Sequence, residues 1–220
     1  MSTTTDDVQA GQAVYSKSVL NMYDLYVHVL SNRFLWQCPS RYILNLYNSN
    51  VSANHLDVGV GTGYFLDLCR FPSDTPRLTL VDLNPECLRF TAKRISRYDP
   101  TLVHGNVLEP IDIQGAPFDS IALNYLLHCL PGTIQSKECV FHHLKKHLSS
   151  GGILFGATIL GADVPRGRLA VAFMRSYNAK RIFCNLNDDL AGLRAGLRRA
   201  FSKVVIDLRG CVALFSASDA

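Results

Sequence analysis

At 220 residues with 48% apolar side chains, the chain can bury the core of one α/β domain and is too short for two large ones. Its net charge of +4 is mild, and its basic residues are spread out with no polybasic run, which argues against a nucleic-acid partner. Seven cysteines lack C-x-x-C or zinc spacing, the first dozen residues hold no apolar leader, and no apolar run nears the ~20 residues that span a bilayer; no metal, no membrane and a reducing, cytoplasmic setting are expected.

Residues 1–12 are polar. From Ala13 to about Phe34, the residues Val19, Met22, Tyr23, Tyr26, Val29, Leu30 and Phe34 fall at helical spacing with one broad apolar face. Cys38-Pro39 interrupts that pattern, and Pro39 opens a second predicted helix to about Tyr47. A strand over 54–59 leads into a helix over 63–70 that turns Phe65, Leu66 and Cys69 inward. Leu78–Asp82 is the second predicted strand. Asn84-Pro85 then supplies an N-cap and a proline at the first helical position, opening a helix to about Tyr98. Thr101–His104 and Phe118–Asn124 follow as strands three and four. A helix from about 134 to 148 buries Ile134, Phe141, Leu144 and Leu148, with Ser149-Ser-Gly-Gly152 as its stop signal. Ile153–Ile159 is strand five and 187–200 another helix. Lys203–Leu208 and Cys211–Ser216 read as a terminal hairpin across Arg209-Gly210.

Alternating strands and helices predict a parallel sheet with right-handed crossovers, and the hairpin adds an antiparallel last strand. The expected architecture is an α/β three-layer sandwich around a seven-stranded, mostly parallel sheet. Residues 1–50 form a tail and N-terminal helical cap, and 51–220 the core of a single domain.

The segment His55-Leu-Asp-Val-Gly-Val-Gly-Thr-Gly-Tyr64 is a short strand running into a turn with glycines at 59, 61 and 63. Glycine there lets the backbone approach a ligand that a Cβ would exclude. Asp82 ends the next strand, and an acid roughly 20 residues after such a loop can accept from a ribose diol. An adenosine-type cofactor is therefore expected at the sheet edge. A dinucleotide loop has the spacing G-x-G-x-x-G and cradles a pyrophosphate. Here the spacing is D-x-G-x-G-x-G, and Asp57 would repel a pyrophosphate but suit a cation such as an ammonium.

That loop, with Asp82 and the later segments, resembles class I (Rossmann-like) S-adenosylmethionine-dependent methyltransferases over roughly residues 51–217. The resemblance implies S-adenosylmethionine as cofactor. Asp57, Gly59, Gly61 and Gly63 match the loop beneath its methionine moiety, and Asp82 the acid on the ribose, with Leu83 and Asn84 beside the adenosine. In Gly105-Asn-Val-Leu-Glu109, Asn106 stands where the family often has an acid that accepts from the adenine amino group; its amide oxygen can still accept. Val107 would add a backbone amide and an apolar wall, and Asn124 would lie by the methionine end. Leu148–Leu154 matches the family's L-x-P-G-G turn with Ser150 in place of proline. The same resemblance makes residues 1–50 the family's variable cap.

Asn124-Tyr-Leu-Leu-His128 ends the fourth strand, beside the reacting methyl in that fold. It lacks the prolines of the N/D-P-P-Y/F motif that positions planar amino groups, which argues against DNA and glutamine as substrates. Leu127-His-Cys-Leu-Pro131 is similar to small-molecule enzymes of the ubiquinone-biosynthesis type. His128 is a candidate general base, with packing against the cofactor or a hydrogen bond to a carbonyl as the alternative. Tyr15 is a second candidate for proton relay, and Tyr64 abuts the glycine loop; aromatic faces favour a sulfonium cation. Tyr23, Trp36, Tyr125, Met174 and Tyr177 are candidate substrate contacts, while Tyr23 and Tyr26 at helical spacing also suit a packing face. The segment from Gly161 to Cys184, with Arg166, Arg168, Phe173 and Arg175, suits a flat, partly anionic acceptor or an ordinary amphipathic helix.

The function expected is methyl transfer to a small organic molecule, in specialised metabolism, by in-line displacement that holds donor and acceptor together and excludes water. A cyclase using the bound cofactor's charge and a non-catalytic partner subunit are the alternatives. A monomer or homodimer is expected.

Overall fold

The computed structural model describes residues 31–115 and 117–219. The predicted helix over 13–34 therefore lies almost wholly outside the described residues, as do Tyr15 and Tyr23.

Helix α1 (Ser40–Asn50) follows Pro39, whose fixed backbone suits a helix entry. Then come β1 (Asn54–Val58), α2 (Tyr64–Leu68), β2 (Arg77–Asp82), α3 (Pro85–Arg94), β3 (Thr101–His104) and β4 (Phe118–Asn124). The second half adds α4 (Ile134–Lys137), α5 (Cys139–Lys145), β5 (Leu148–Ile159), α6 (Arg168–Ala179), α7 (Leu190–Ala200), β6 (Lys203–Arg209) and β7 (Val212–Ser218). The start of α3 is as the sequence predicts: the Asn84 side chain accepts from the Glu86 amide at 2.9 Å, with Pro85 at the first helical position.

The seven strands form one sheet in the order β3-β2-β1-β4-β5-β7-β6. All neighbouring pairs are parallel except β5 with β7 and β6 with β7. The antiparallel last strand thus sits inside the sheet, and β6 takes the edge. Strand alternation feeds both faces. Leu78, Leu80, Ala122 and Phe155 join a buried cluster with α1, α2, α3 and α6. Leu56, Val81, Ile121, Leu123 and Leu154 join another with α4, α5 and α7. These are the outer layers of the sandwich.

The main departures from the boundaries read in the sequence lie around β5 and at the end of α3. The predicted helix over 134–148 is two short helices meeting at Glu138 and ends at Lys145. Leu148 is not a buried helical residue; it opens β5, paired with Phe118, so 149–152 belong to the strand and not to a helix stop. Pairing with β4, with a register shift between Phe118 and Ser120, outweighs the turn chemistry of Ser149-Ser-Gly-Gly152. Helix α3 ends at Arg94, and residues through Tyr98 continue as a single 3₁₀ turn.

Strand order reverses between β1 and β4. Side chains and loops leaving the carboxyl ends of those neighbours diverge to opposite sides, opening a crevice where ligands bind in sheets of this kind.

Candidate active site

The crevice at the ends of β1 and β4 holds two lobes of about 750 and 500 Å³, counting the solvent at their mouths. Gly59, Gly61 and Tyr125 line both lobes, so the two form one groove folded over the glycine loop.

The loop leaves β1 through Gly59, whose amide donates to Val81 O at 2.8 Å. Gly59, Gly61 and Gly63 all have positive φ, at 73°, 54° and 69°. At Gly61 a Cβ would meet nothing within 4 Å, so its missing side chain leaves open groove; at Gly63 a Cβ would stand 2.6 Å from Thr91 Cγ2, so that glycine serves packing against α3. Thr91 Oγ1 donates to Gly61 O at 3.1 Å, fixing the loop from the helix side.

The larger lobe is bounded by Asp82, Leu83, Asn84, Asn106 and Val107, with Leu126, Leu130 and Pro131 as an apolar wall. Asp82 Oδ1 accepts from the Asn84 amide at 2.8 Å, and Oδ2 from the Gly61 amide at 3.4 Å. Burial pushes the Asp82 carboxyl up to about 6, against these backbone hydrogen bonds, which favour its charge. Asn106 turns toward its own loop: Oδ1 accepts from the Leu108 amide at 3.1 Å and Nδ2 donates to Glu109 at 3.3 Å.

The smaller lobe is bounded by Tyr47, Asp57, Tyr64, Phe65 and Asn124. Asp57 is 3% exposed. Its Oδ2 accepts from the Tyr47 hydroxyl at 2.7 Å. Asn124 is 8% exposed, and neither of its amide atoms has a hydrogen bond of normal geometry among the described residues. A buried amide facing a groove without such bonds is expected to find its partner in a ligand. Arg94 stacks over the Tyr64 ring at 5.6 Å and donates to Thr62 O, bracing the loop's exit.

Tyr125 has φ 55°, a left-handed conformation that costs a non-glycine residue about 1–2 kcal/mol. Its amide donates to Ala157 O at 2.8 Å, which holds the turn. The turn carries Leu126 across the glycine loop, so close that a Cβ on Gly59 would lie 2.8 Å from Leu126 Cδ2. The strain is thus located where the two lobes meet.

A family model described as a methyltransferase domain matches residues 56–154. The chain is 41% identical over 210 residues to the demethylluteothin O-methyltransferase of Streptomyces thioluteus, covering 94% of this chain and 90% of that protein. The chain belongs to the class I S-adenosylmethionine-dependent methyltransferases. It is also 38% identical to the physcion biosynthesis cluster O-methyltransferase of Aspergillus chevalieri, covering 95% of each chain. A solved structure, the DhpI–SAH complex, shares the fold at TM-score 0.68 and 12% identity over 99% of both chains.

The residues fit the cofactor of this methyltransferase, S-adenosylmethionine: an open glycine cradle, a carboxylate at each lobe, and the buried Asn124 amide facing the smaller lobe. Every cofactor residue expected from the sequence lines one lobe or the other.

The candidates for catalysis and acceptor contact fall elsewhere. His128 lines neither lobe. It is 3% exposed, its ring lies edge-on to Phe183 at 4.5 Å, and Nδ1 accepts from the Ile159 amide at 3.3 Å. Burial, then the Lys137 charge, pushes its pKa down to about 3. It is packed against Phe183 and the Ile159 amide, away from both lobes, so it neither stands where a general base would act nor packs against a ligand in the groove. Trp36 and Met174 are 2% and 1% exposed in the cluster beneath the sheet's cap, and Tyr177 packs on Phe183 at 5.0 Å. None of the three lines the groove, because large apolar side chains near a cap fill its core as readily as a substrate site. Tyr125 alone of the described acceptor candidates does.

Tyr47 and His55 were not singled out by the sequence. A signal existed for His55: strand alternation places residues 55 and 57 on one face. Among the described residues no cluster of His, Cys, Asp and Glu could hold a metal, and no helix is long and apolar enough to cross a membrane.

Proposed function

We propose that this methyltransferase transfers the methyl to a hydroxyl oxygen of a small, flat metabolite made in specialised metabolism. The observation that carries this is the end-to-end similarity, near 40% identity, to two enzymes that are both named as O-methyltransferases, one of a demethylated metabolite and one of a biosynthetic cluster. The groove is consistent with it: Tyr125 lines both lobes where they meet, an aromatic face suited to a planar molecule.

In this reading the larger lobe takes adenosine, with Asp82 on the ribose and Asn106 and Val107 at the base. The smaller lobe takes the amino-acid end, with Asp57 and Asn124 as its polar contacts. When bound, S-adenosylmethionine supplies an activated methyl on a cationic sulfur. The chain's own residues bind and orient the partners and keep water from the reacting centre. With His128 sequestered, proximity and alignment do most of the work, and the acceptor's proton leaves through the aqueous mouth of the groove.

The test is incubation of the purified protein with isotopically labelled methyl donor and a panel of planar phenols, matched anilines and matched thiols. Label gained by phenols, with release of S-adenosylhomocysteine, is the expected result. Label on the anilines or thiols alone would overturn the oxygen assignment.

A further inference from the structure

Beneath the smaller lobe, a chain of buried polar groups ends on one oxygen of Asp57. The Tyr47 hydroxyl donates to Asp57 Oδ2 at 2.7 Å, and His55 Nε2 stands 3.6 Å from the same atom. His55 is fully buried, and its Nδ1 lies 2.7 Å from Ser120 Oγ. Ser120 Oγ in turn is 2.8 Å from Ser52 Oγ and accepts from the Ser52 amide at 2.9 Å.

The bonds select a tautomer. Ser52 Oγ donates to Asn54 O at 2.8 Å, so Ser120 has its own proton to give either to Ser52 or to His55. If Ser120 gives it to His55 Nδ1, the imidazole proton sits on Nε2 and faces the Asp57 carboxylate. The other tautomer would turn a bare nitrogen lone pair toward a buried anion, which is unfavourable. Tyr47 thereby donates to Oδ2, and the His55 Nε2 proton faces the same oxygen from 3.6 Å, too far for a hydrogen bond but close enough to favour its orientation. The rings themselves are held: Tyr47 stacks on Phe65 at 5.6 Å, and His55 on Phe155 at 5.8 Å.

We propose that Tyr47 and His55 are positioning residues that clamp Asp57 through Oδ2, so that Oδ1 is presented to the cationic amino group of the cofactor's methionine end. This rests on the assignment of the smaller lobe to the amino-acid end. A carboxylate held on one side by a fixed donor keeps its orientation, which a freely rotating side chain would not. Tyr47 comes from α1 and His55 from β1, so the Tyr47 arm also couples the docking of α1 to cofactor affinity. Burial, then the neighbouring Asp57 charge, holds the Tyr47 phenol well above its usual range while the nearby Asn124 amide opposes the shift, so the phenol stays a donor at every working pH.

The test compares two ligands by calorimetry: S-adenosylhomocysteine, which carries the amino-acid end, and 5′-methylthioadenosine, which lacks it. Tyr47→Phe keeps the ring and removes one hydroxyl. It is expected to weaken S-adenosylhomocysteine about five- to twentyfold and to leave methylthioadenosine within about twofold. In an Asp57→Asn background the same substitution is expected to add little, because Tyr47 acts through Asp57. Equal weakening of both ligands, or of neither, would overturn the clamp. Should Tyr47→Phe not fold, His55→Phe provides the same comparison with the same criteria. Wild-type protein that binds S-adenosylhomocysteine no more tightly than methylthioadenosine would instead sink the assignment of the lobe.

Discussion

Gly61 and Asp82 are joined across the floor of the groove, the Gly61 amide donating to Asp82 Oδ2 at 3.4 Å. One carboxylate thus ties the glycine loop after β1 to the tip of β2 and also faces the larger lobe. Replacing Asp82 by Ala should weaken S-adenosylhomocysteine binding by about 1–3 kcal/mol, the range for leaving a buried hydrogen-bond partner unsatisfied. Titration calorimetry checks this; unchanged affinity would mean that the ribose lies elsewhere.

The same carboxylate sets a pH dependence. Its pKa is raised to about 6 by burial. Between its ordinary value near 4 and about 6 the folded state holds a proton that the unfolded chain has lost, so this group's contribution to stability falls as pH rises through that window. Ligand binding works the other way, because ribose hydroxyls prefer the ionised acid. S-adenosylhomocysteine affinity is expected to be flat from pH 8 to 7 and to drop as pH falls below about 6, with protons released on binding near pH 6. Affinity that stays constant down to pH 5 would contradict the role given to Asp82.

Two glycines in one loop should respond differently to alanine. Gly61→Ala adds a methyl to open groove, costing the fold about 1–2 kcal/mol for a left-handed alanine while its methyl competes with the ligand. Gly63→Ala drives a Cβ into Thr91 and should cost more stability. Thermal melts paired with ligand titrations separate the two: a larger affinity loss per unit of stability lost is expected at Gly61.

Much of this arrangement was legible in the residues. Asn84-Pro85 fixed where α3 starts, and the D-x-G-x-G-x-G spacing located the groove, because caps and glycine turns are local chemistry. What was not legible depends on direction and on partners distant in sequence. A histidine at a strand tip can point into the crevice or under it, and the amide of Ile159, from β5, decides for His128. Ser149-Ser-Gly-Gly152 has the composition of a helix stop, yet Phe118 recruits Leu148 into the sheet first. Tyr47 was visible only as the end of a predicted helix; its bond to Asp57 exists because α1 docks over β5 and the cleft.

A buried ion pair secures the segment that follows β5. Lys137 Nζ stands 2.6 Å from Asp188 Oδ2 and donates to Cys184 O at 2.6 Å, with side chains 0% and 2% exposed. Burial raises the Asp188 carboxyl's pKa, and the Lys137 charge opposes that rise. Asp188 O also accepts from the amides of Gly161 and Ala162, so the pair closes both ends of the loop carrying α6. Lys137→Met should cost about 3–5 kcal/mol by leaving a carboxylate buried alone, and adding Asp188→Leu should recover much of it. Denaturant titrations of the single and double variants test this; additive losses would show that the pair is not coupled.

His128 gives the sharpest contrast between two readings of one residue. Its pKa is pushed down to about 3, so it is neutral in the folded protein at every pH where the enzyme works. Between about 3 and its ordinary value near 6.5 the unfolded chain takes a proton that the folded state refuses, so its contribution to stability is present above 6.5 and lost as pH falls. That runs opposite to Asp82, and the two partly cancel in the wild type. Replacing His128 by Leu removes the titration but leaves the Ile159 amide without its acceptor, at a cost of about 1–3 kcal/mol. The expected variant is less stable at neutral pH, loses less stability on acidification than wild type, and keeps kcat within a fewfold where it is folded. A general base would show the reverse: kcat lower by about a hundredfold or more, and the loss of an ionisation near neutrality from the rate profile.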